Sequence, residues 1–199
     1  MSLPNLCTVG AGVTRNNLGF SLAQGWQVSG NFAKPGEARE CVMSDFDGWD
    51  LPDPFILRIT AGEADLDEFG HVNNARYLVW AHETAWAQWE DHFPQHPRTQ
   101  FAEWDYGMAI IRSECDYLGH LRSGDAIDCA VWISKSDGKL RAERRYQFRR
   151  VSDGATVFRA RMDLVCFKLT SGRPTRMSPK LAEHYSVKPS VAAALMTES

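Results

Sequence analysis

No stretch of the 199-residue chain approaches the ~20 consecutive apolar residues that a membrane-spanning helix needs, so insertion into a bilayer is not expected. The opening residues, Met1 to Asn17, have no basic segment followed by an apolar core, which argues against secretion and for a cytoplasmic protein. Cysteine is sparse and unpatterned: Cys7, Cys41, Cys115, Cys129 and Cys166 form an odd set with no C-x-x-C pair. That excludes a disulfide framework and a metal site with cysteine-ligand spacing, and it fits reduced thiols packed as small hydrophobes, Cys115 among them. A large charge excess is missing too, since the net charge is -3 and the pI about 6.1. Binding to nucleic acid or to an acidic membrane through bulk charge is thereby disfavoured. Residues 1–54 lack any sustained period of 2 or 3.6 and scatter Gly, Pro, Asn and Asp, so they read as a loosely structured extension. Within it, Val9-Gly10-Ala11-Gly12-Val13 has neither a preceding strand nor a following βαβ unit, and is not a phosphate-binding turn.

What remains is patterned. With 44% hydrophobic residues the chain can bury a full core. The basic residues crowd into the second half: residues 1–100 hold 6 Lys+Arg against 13 Asp+Glu, which leaves 16 against 12 for residues 101–199. Phe55 to Thr60 reads as a strand, and Glu63 to Asn74 as a polar turn. From Ala75 to Asp91 the period becomes helical, with Leu78, Ala81, Ala85 and Trp89 on one face, Asn73 or Asn74 as cap and Pro94 just past the end. Trp80 and Trp86 widen that apolar face, which predicts a helix largely enclosed by a sheet or a partner. Four strands follow: Ala109–Leu118, a run around Ile127, Cys129, Val131 and Ile133, Leu140–Val151 and Thr156–Leu169. Asp137-Gly138 and Asp153-Gly154 join the last three as hairpins, so the sheet is antiparallel. A curved sheet around one helix, in the α+β class, is the compact arrangement of this element order.

The turn before the helix, Asp65-Leu66-Asp67-Glu68-Phe69-Gly70-His71-Val72-Asn73-Asn74-Ala75-Arg76-Tyr77, resembles the D-x-D-x-x-G/Q-H-V-N-N-x-x-Y signature of hotdog-fold thioesterases. It is similar to their 4-hydroxybenzoyl-CoA thioesterase-like and acyl-ACP thioesterase branches. The resemblance implies the hotdog fold, with a thioesterase domain over residues 55–185 and a C-terminal tail over 186–199. It also implies hydrolysis of an acyl-CoA or acyl-carrier-protein thioester by a homodimer or dimer of dimers. No cofactor or metal is implied, coenzyme A entering only as part of the substrate. In both branches the essential carboxylate matches Asp67. The acyl-ACP pattern further matches His71 and, on the next strand, Glu114, while Phe69 stands where that pattern has Asn. Asn73, Asn74, Ala75 and Tyr77 fall at the substrate-binding end of the helix.

The residues themselves leave choices open. Asp67 suits attack on an acyl carbon or activation of water, and equally an Asx turn that organises the loop. Backbone N–H groups of Asn74 to Arg76, unpaired within the helix and at its positive end, suit a thioester oxygen. His71 suits orienting water or bonding Asp67, or a purely structural place. Glu114 is catalytic if it faces inward and solvated if it faces outward. Arg173 and Arg176, just after the last strand, suit the phosphates of coenzyme A. Arg144, Arg145, Arg149 and Arg150 suit an acidic carrier protein, or a solvated sheet face. Two rival functions share the fold: a dehydratase or hydratase on acyl thioesters, and a non-catalytic acyl-CoA or lipid sensor.

Overall fold

A computed structural model describes residues 48–197. Strand β1 (Phe55–Thr60) leads through a short 3-10 turn at Glu63–Asp65 into helix α1 (Asn74–His92) and a one-turn helix α2 (Gln100–Trp104). Strands β2 (Gly107–Tyr117), β3 (Ala126–Ser136), β4 (Arg141–Arg150) and β5 (Thr156–Phe167) follow, then helices α3 (Pro179–His184) and α4 (Pro189–Thr197). The five strands form one antiparallel sheet in the order β1-β3-β4-β5-β2, which leaves β1 and β2 as its edges. The two hairpins form at the expected dipeptides, where Gly138 and Gly154 take φ of 64° and 68°. Asp137 secures the first by accepting at Oδ1 from the N–H groups of Lys139, Leu140 and Arg141.

The sheet curls around α1. Ala81, Ala85 and Trp89 are buried as the helical period predicts, but Leu78 is 41% exposed. Tyr77, Trp80 and Thr84 take the inward places instead, because the sheet covers a stripe rotated toward those positions. Against this stripe lie Ile127, Cys129 and Val131 of β3, Tyr146 and Phe148 of β4, and Phe158, Ala160 and Met162 of β5. A second cluster around Trp89, Phe93, Phe101, Leu164 and Leu181 closes the far end of the helix. Alternation along the strands sends the other row outward, and there Arg161 and Lys135 bond the buried Glu143.

The outer face is partly covered as well. Ala130 and Trp132 of β3 are buried under Leu51 and under Val191 of α4. Trp132 donates its indole N–H to Pro52 O at 2.8 Å, and Arg159 bonds Asp50. Residues 48–54, read from sequence as the end of an irregular extension, thus lie against the sheet, and much of the expected C-terminal tail is α4. Neither stretch is long or periodic enough to announce this. The expectations for residues 1–47, including the glycine turn at Gly10 and Gly12, lie outside the described residues.

Candidate active site at the start of the central helix

The turn between β1 and α1 is built by its own backbone and short polar side chains. Asp67 N–H donates to His71 O at 2.7 Å and Gly70 N–H to Asp67 O at 3.1 Å, with Gly70 at a φ of 72° that favours glycine. Asp67 Oδ1 accepts from the N–H of Phe69 at 2.9 Å and of His71 at 3.2 Å. The Asx-turn reading of Asp67 is therefore correct for one carboxylate oxygen. It does not exclude the chemical reading, because Oδ2 is left out of those bonds and the half-buried side chain lines a cavity.

That cavity, about 330 Å³, is bounded by Asp67, His71, Asn74, Tyr77, Tyr117 and His120, with Val72, Leu118 and Gly119 between them. Asn73 caps the helix, accepting from Ala75 N–H at 2.9 Å on its side chain and from Arg76 N–H at 2.8 Å on its carbonyl. Two of the three expected backbone donors are thus already engaged, which corrects the reading of Ala75 as a binding residue through its N–H. The Asn74 N–H has no partner among the described residues, and it opens the helix beside Asp67. Arg76 Nε lies 2.6 Å from the buried Asp65, tying the helix start to the preceding turn.

Tyr77 is buried and donates its hydroxyl to Gly119 O at 3.3 Å; burial pushes its phenol up to about 12, so it stays protonated. Tyr117 donates to Asn74 O, bracing the same backbone. His120 is a residue that sequence reasoning missed. It sits in the loop after β2, and its ring centroid lies 4.7 Å from that of His71. A lone loop histidine near Gly119 offers no signal until β2 folds back beside the helix start.

Other expected residues do not join this cavity. Glu114 pairs with Arg112 on β2 and stands in register with Arg161, on the outer face of the sheet. Its neighbour Cys115 takes the inward place opposite Ala160, with its thiol raised by burial, so the catalytic reading of Glu114 is corrected for the single chain. Arg173 and Arg176 follow the far end of β5: Phe158, opposite Tyr117, is nine residues from Phe167, roughly 30 Å of strand. Within one chain they do not line the Asp67 cavity. Of the expected basic patch, Arg145 lies near Glu143 and Arg149 over the Trp49 ring, while Arg144 points inward and is buried. No group of His, Cys, Asp and Glu able to hold a metal is present among the described residues, and none of their helices is long and apolar enough to cross a membrane.

A family profile described as the thioesterase-like superfamily matches residues 62–185. Among solved structures, a 1,4-dihydroxy-2-naphthoyl-CoA thioesterase from Synechocystis is 16% identical with a TM-score of 0.59, over 67% of this chain and 96% of its own. A DHNA-CoA thioesterase from Staphylococcus aureus is 18% identical with a TM-score of 0.59, over 73% and 94%. A gentisyl-coenzyme A thioesterase is 14% identical with a TM-score of 0.56, over 63% and 97%. These likenesses are of fold, the hotdog arrangement expected from the sequence. No curated protein sequence matches.

Proposed function

The chain belongs to the thioesterase-like superfamily, and from that membership we propose that it hydrolyses an acyl-CoA thioester at the Asp67 cavity. The observation that carries the reading is the juxtaposition of a carboxylate and an unpaired helix-start N–H across one cavity, Asp67 and Asn74. In this reading the acyl oxygen takes the Asn74 N–H, whose dipole end favours the charge that develops there. Water adds to the acyl carbon while its proton passes to Asp67 Oδ2. The tetrahedral centre then expels the thiolate and leaves the free acid. Direct attack by Asp67, giving an anhydride that water opens, uses the same groups. His71 and His120 line the same wall, where they orient the water and supply the proton the departing sulfur takes up.

CoA is favoured over a carrier protein because the superposed thioesterases are named for CoA thioesters, and a Staphylococcus aureus relative of this fold was solved with CoA. A second copy is part of the proposal. Edge strand β2 exposes Ile110 and Ile111 along its length and Tyr117 at its end, where Leu118 follows beside the cavity, a surface that strand pairing between copies covers. Only from such a copy do Arg173 and Arg176 serve this cavity.

The test is release of free thiol from aliphatic and aromatic acyl-CoAs by wild type and Asp67→Asn. Asn keeps the acceptor for Phe69 and His71, so the turn is retained while the base is lost. A fall in kcat of about 100-fold or more is expected. Equal rates in the two proteins would remove Asp67 from the reaction, and binding without turnover would favour the sensor.

A further inference from the structure

On the inner row of β4, between Ala142 and Tyr146, stands a charge that the site above does not use. Arg144 is 8% exposed, and among the described residues no carboxylate is within ion-pairing reach of it. Strand alternation explains this: Glu143 faces outward to Lys135 and Arg161, leaving Arg144 inside. Its known partners are neutral. Nη2 donates to the Tyr185 hydroxyl at 2.8 Å, the guanidinium lies 4.8 Å over the Tyr185 ring, and Tyr146 interacts from the same strand. Arg144 Nε has no hydrogen-bond partner among the described residues. Next to Tyr185, His184 is 5% exposed, and neither ring nitrogen has a hydrogen-bond partner among the described residues.

A buried cation surrounded by neutral groups is costly, whereas a carboxylate placed against it gains a strong, directional pair of bonds. We propose that Arg144, with Tyr146, Tyr185 and His184, forms an anion subsite for a carboxylate group. The free Nε offers one guanidinium edge, the Tyr185 hydroxyl can pass its own hydrogen to the anion, and a neutral His184 supplies an N–H. Burial and the nearby Arg144 charge press the His184 imidazole down to about 2, so it remains neutral in ordinary buffers.

Two sources supply a carboxylate. One is the far end of an acyl group, because Arg144 and Phe148 share the inner row of β4 about 13 Å apart, and Phe148 contacts Phe158, which packs on Tyr77 at the Asp67 cavity. The other is a free carboxylic acid. The first source rests on the hydrolase reading; the subsite itself does not.

The experiment has two arms, run on wild type, Arg144→Met and Tyr185→Phe after near-UV circular dichroism shows which variants fold. Acetate, benzoate and glutarate are titrated by calorimetry against their amides. Hexadecanedioyl-CoA and palmitoyl-CoA, alike in length but different in end charge and long enough to span from the Asp67 cavity to Arg144, are compared by kcat/KM. A preference for the dicarboxylic chain of about tenfold or more that collapses in Arg144→Met supports the subsite and assigns it to the substrate. Free-acid binding that weakens about tenfold or more in Arg144→Met, with an unchanged acyl preference, supports it as a site for a separate acid. Should Arg144→Met not fold, weaker carboxylate binding or a reduced dicarboxylic preference in Tyr185→Phe, which keeps the ring, carries the same meaning. Wild type that binds no carboxylate and shows no dicarboxylic preference overturns the proposal, as does either effect left unchanged in every folded variant. If no thioester is cleaved, the hydrolase reading fails while the titration still decides the subsite.

Discussion

Asp67 shows how one side chain serves both local structure and chemistry. One oxygen holds the turn through two backbone N–H groups, and this fixes where the other oxygen points. The same logic applies to Asn73, whose side chain satisfies Ala75 and thereby leaves Asn74 as the free donor. Asn73→Ala is expected to cost about 1 kcal/mol of stability, read as a lower denaturation midpoint with an unchanged slope. Loss of the cap also releases the Ala75 N–H, so kcat should fall further than the stability change predicts if one defined donor matters. Both residues were legible in the sequence, because capping and Asx turns are local. His120 and the inward face of Arg144 were not, because each depends on which strand lies alongside.

At the scale of elements, β2 is the decisive strand. Its central residues Ile110 to Glu114 are exposed, yet two of them are isoleucine, a poor choice for a free edge. If copies pair through β2 as proposed, Ile111→Lys places a charge on that edge and is expected to shift sedimentation toward the monomer, with activity falling in parallel. A single sedimenting species of unchanged mass would place the contact between copies elsewhere. Element existence was readable from period and hairpin chemistry, as Asp137-Gly138 and the Trp89 face show. The exact stripe of α1 was not: Tyr77 and Trp80 rather than Leu78 turn inward, because the sheet's curvature and not the helix's own period selects among its apolar positions.

For the whole molecule, stability should respond to acid before the carboxylates titrate. His184 is held neutral in the folded state, facing Arg144 from β4 and His92 from α1, with Glu183 beside it in α3. The unfolded chain takes up a proton from about pH 6.5 downward, and the folded chain does not until about pH 2. The folded state therefore has its full stability above pH 6.5 and loses at most about 1.4 kcal/mol per pH unit as pH falls. Between pH 6.5 and 4.5, His184→Asn is expected to flatten chemical denaturation measured against pH, whatever it costs at neutrality. An equally steep decline in the variant would assign the effect elsewhere, His82 being the next group lowered in the same direction. Below that window Glu143 joins, since Ser134, Lys135 and Arg161 outweigh the upward push of its burial.

By itself the sequence determined the element order, the antiparallel hairpins, the capped helix start and the turn that carries Asp67, all of which rest on residues close in the chain. It also carried the family, through one uninterrupted turn signature. Tertiary structure alone decided that Glu114 faces away from Asp67 and that His120 joins it. It likewise put Arg144 inside while its sequence neighbours face out, and it laid residues 48–54 and α4 against the sheet. Strand alternation and sheet curvature make those choices, and both are set by pairing between residues far apart in the chain, which no local pattern encodes.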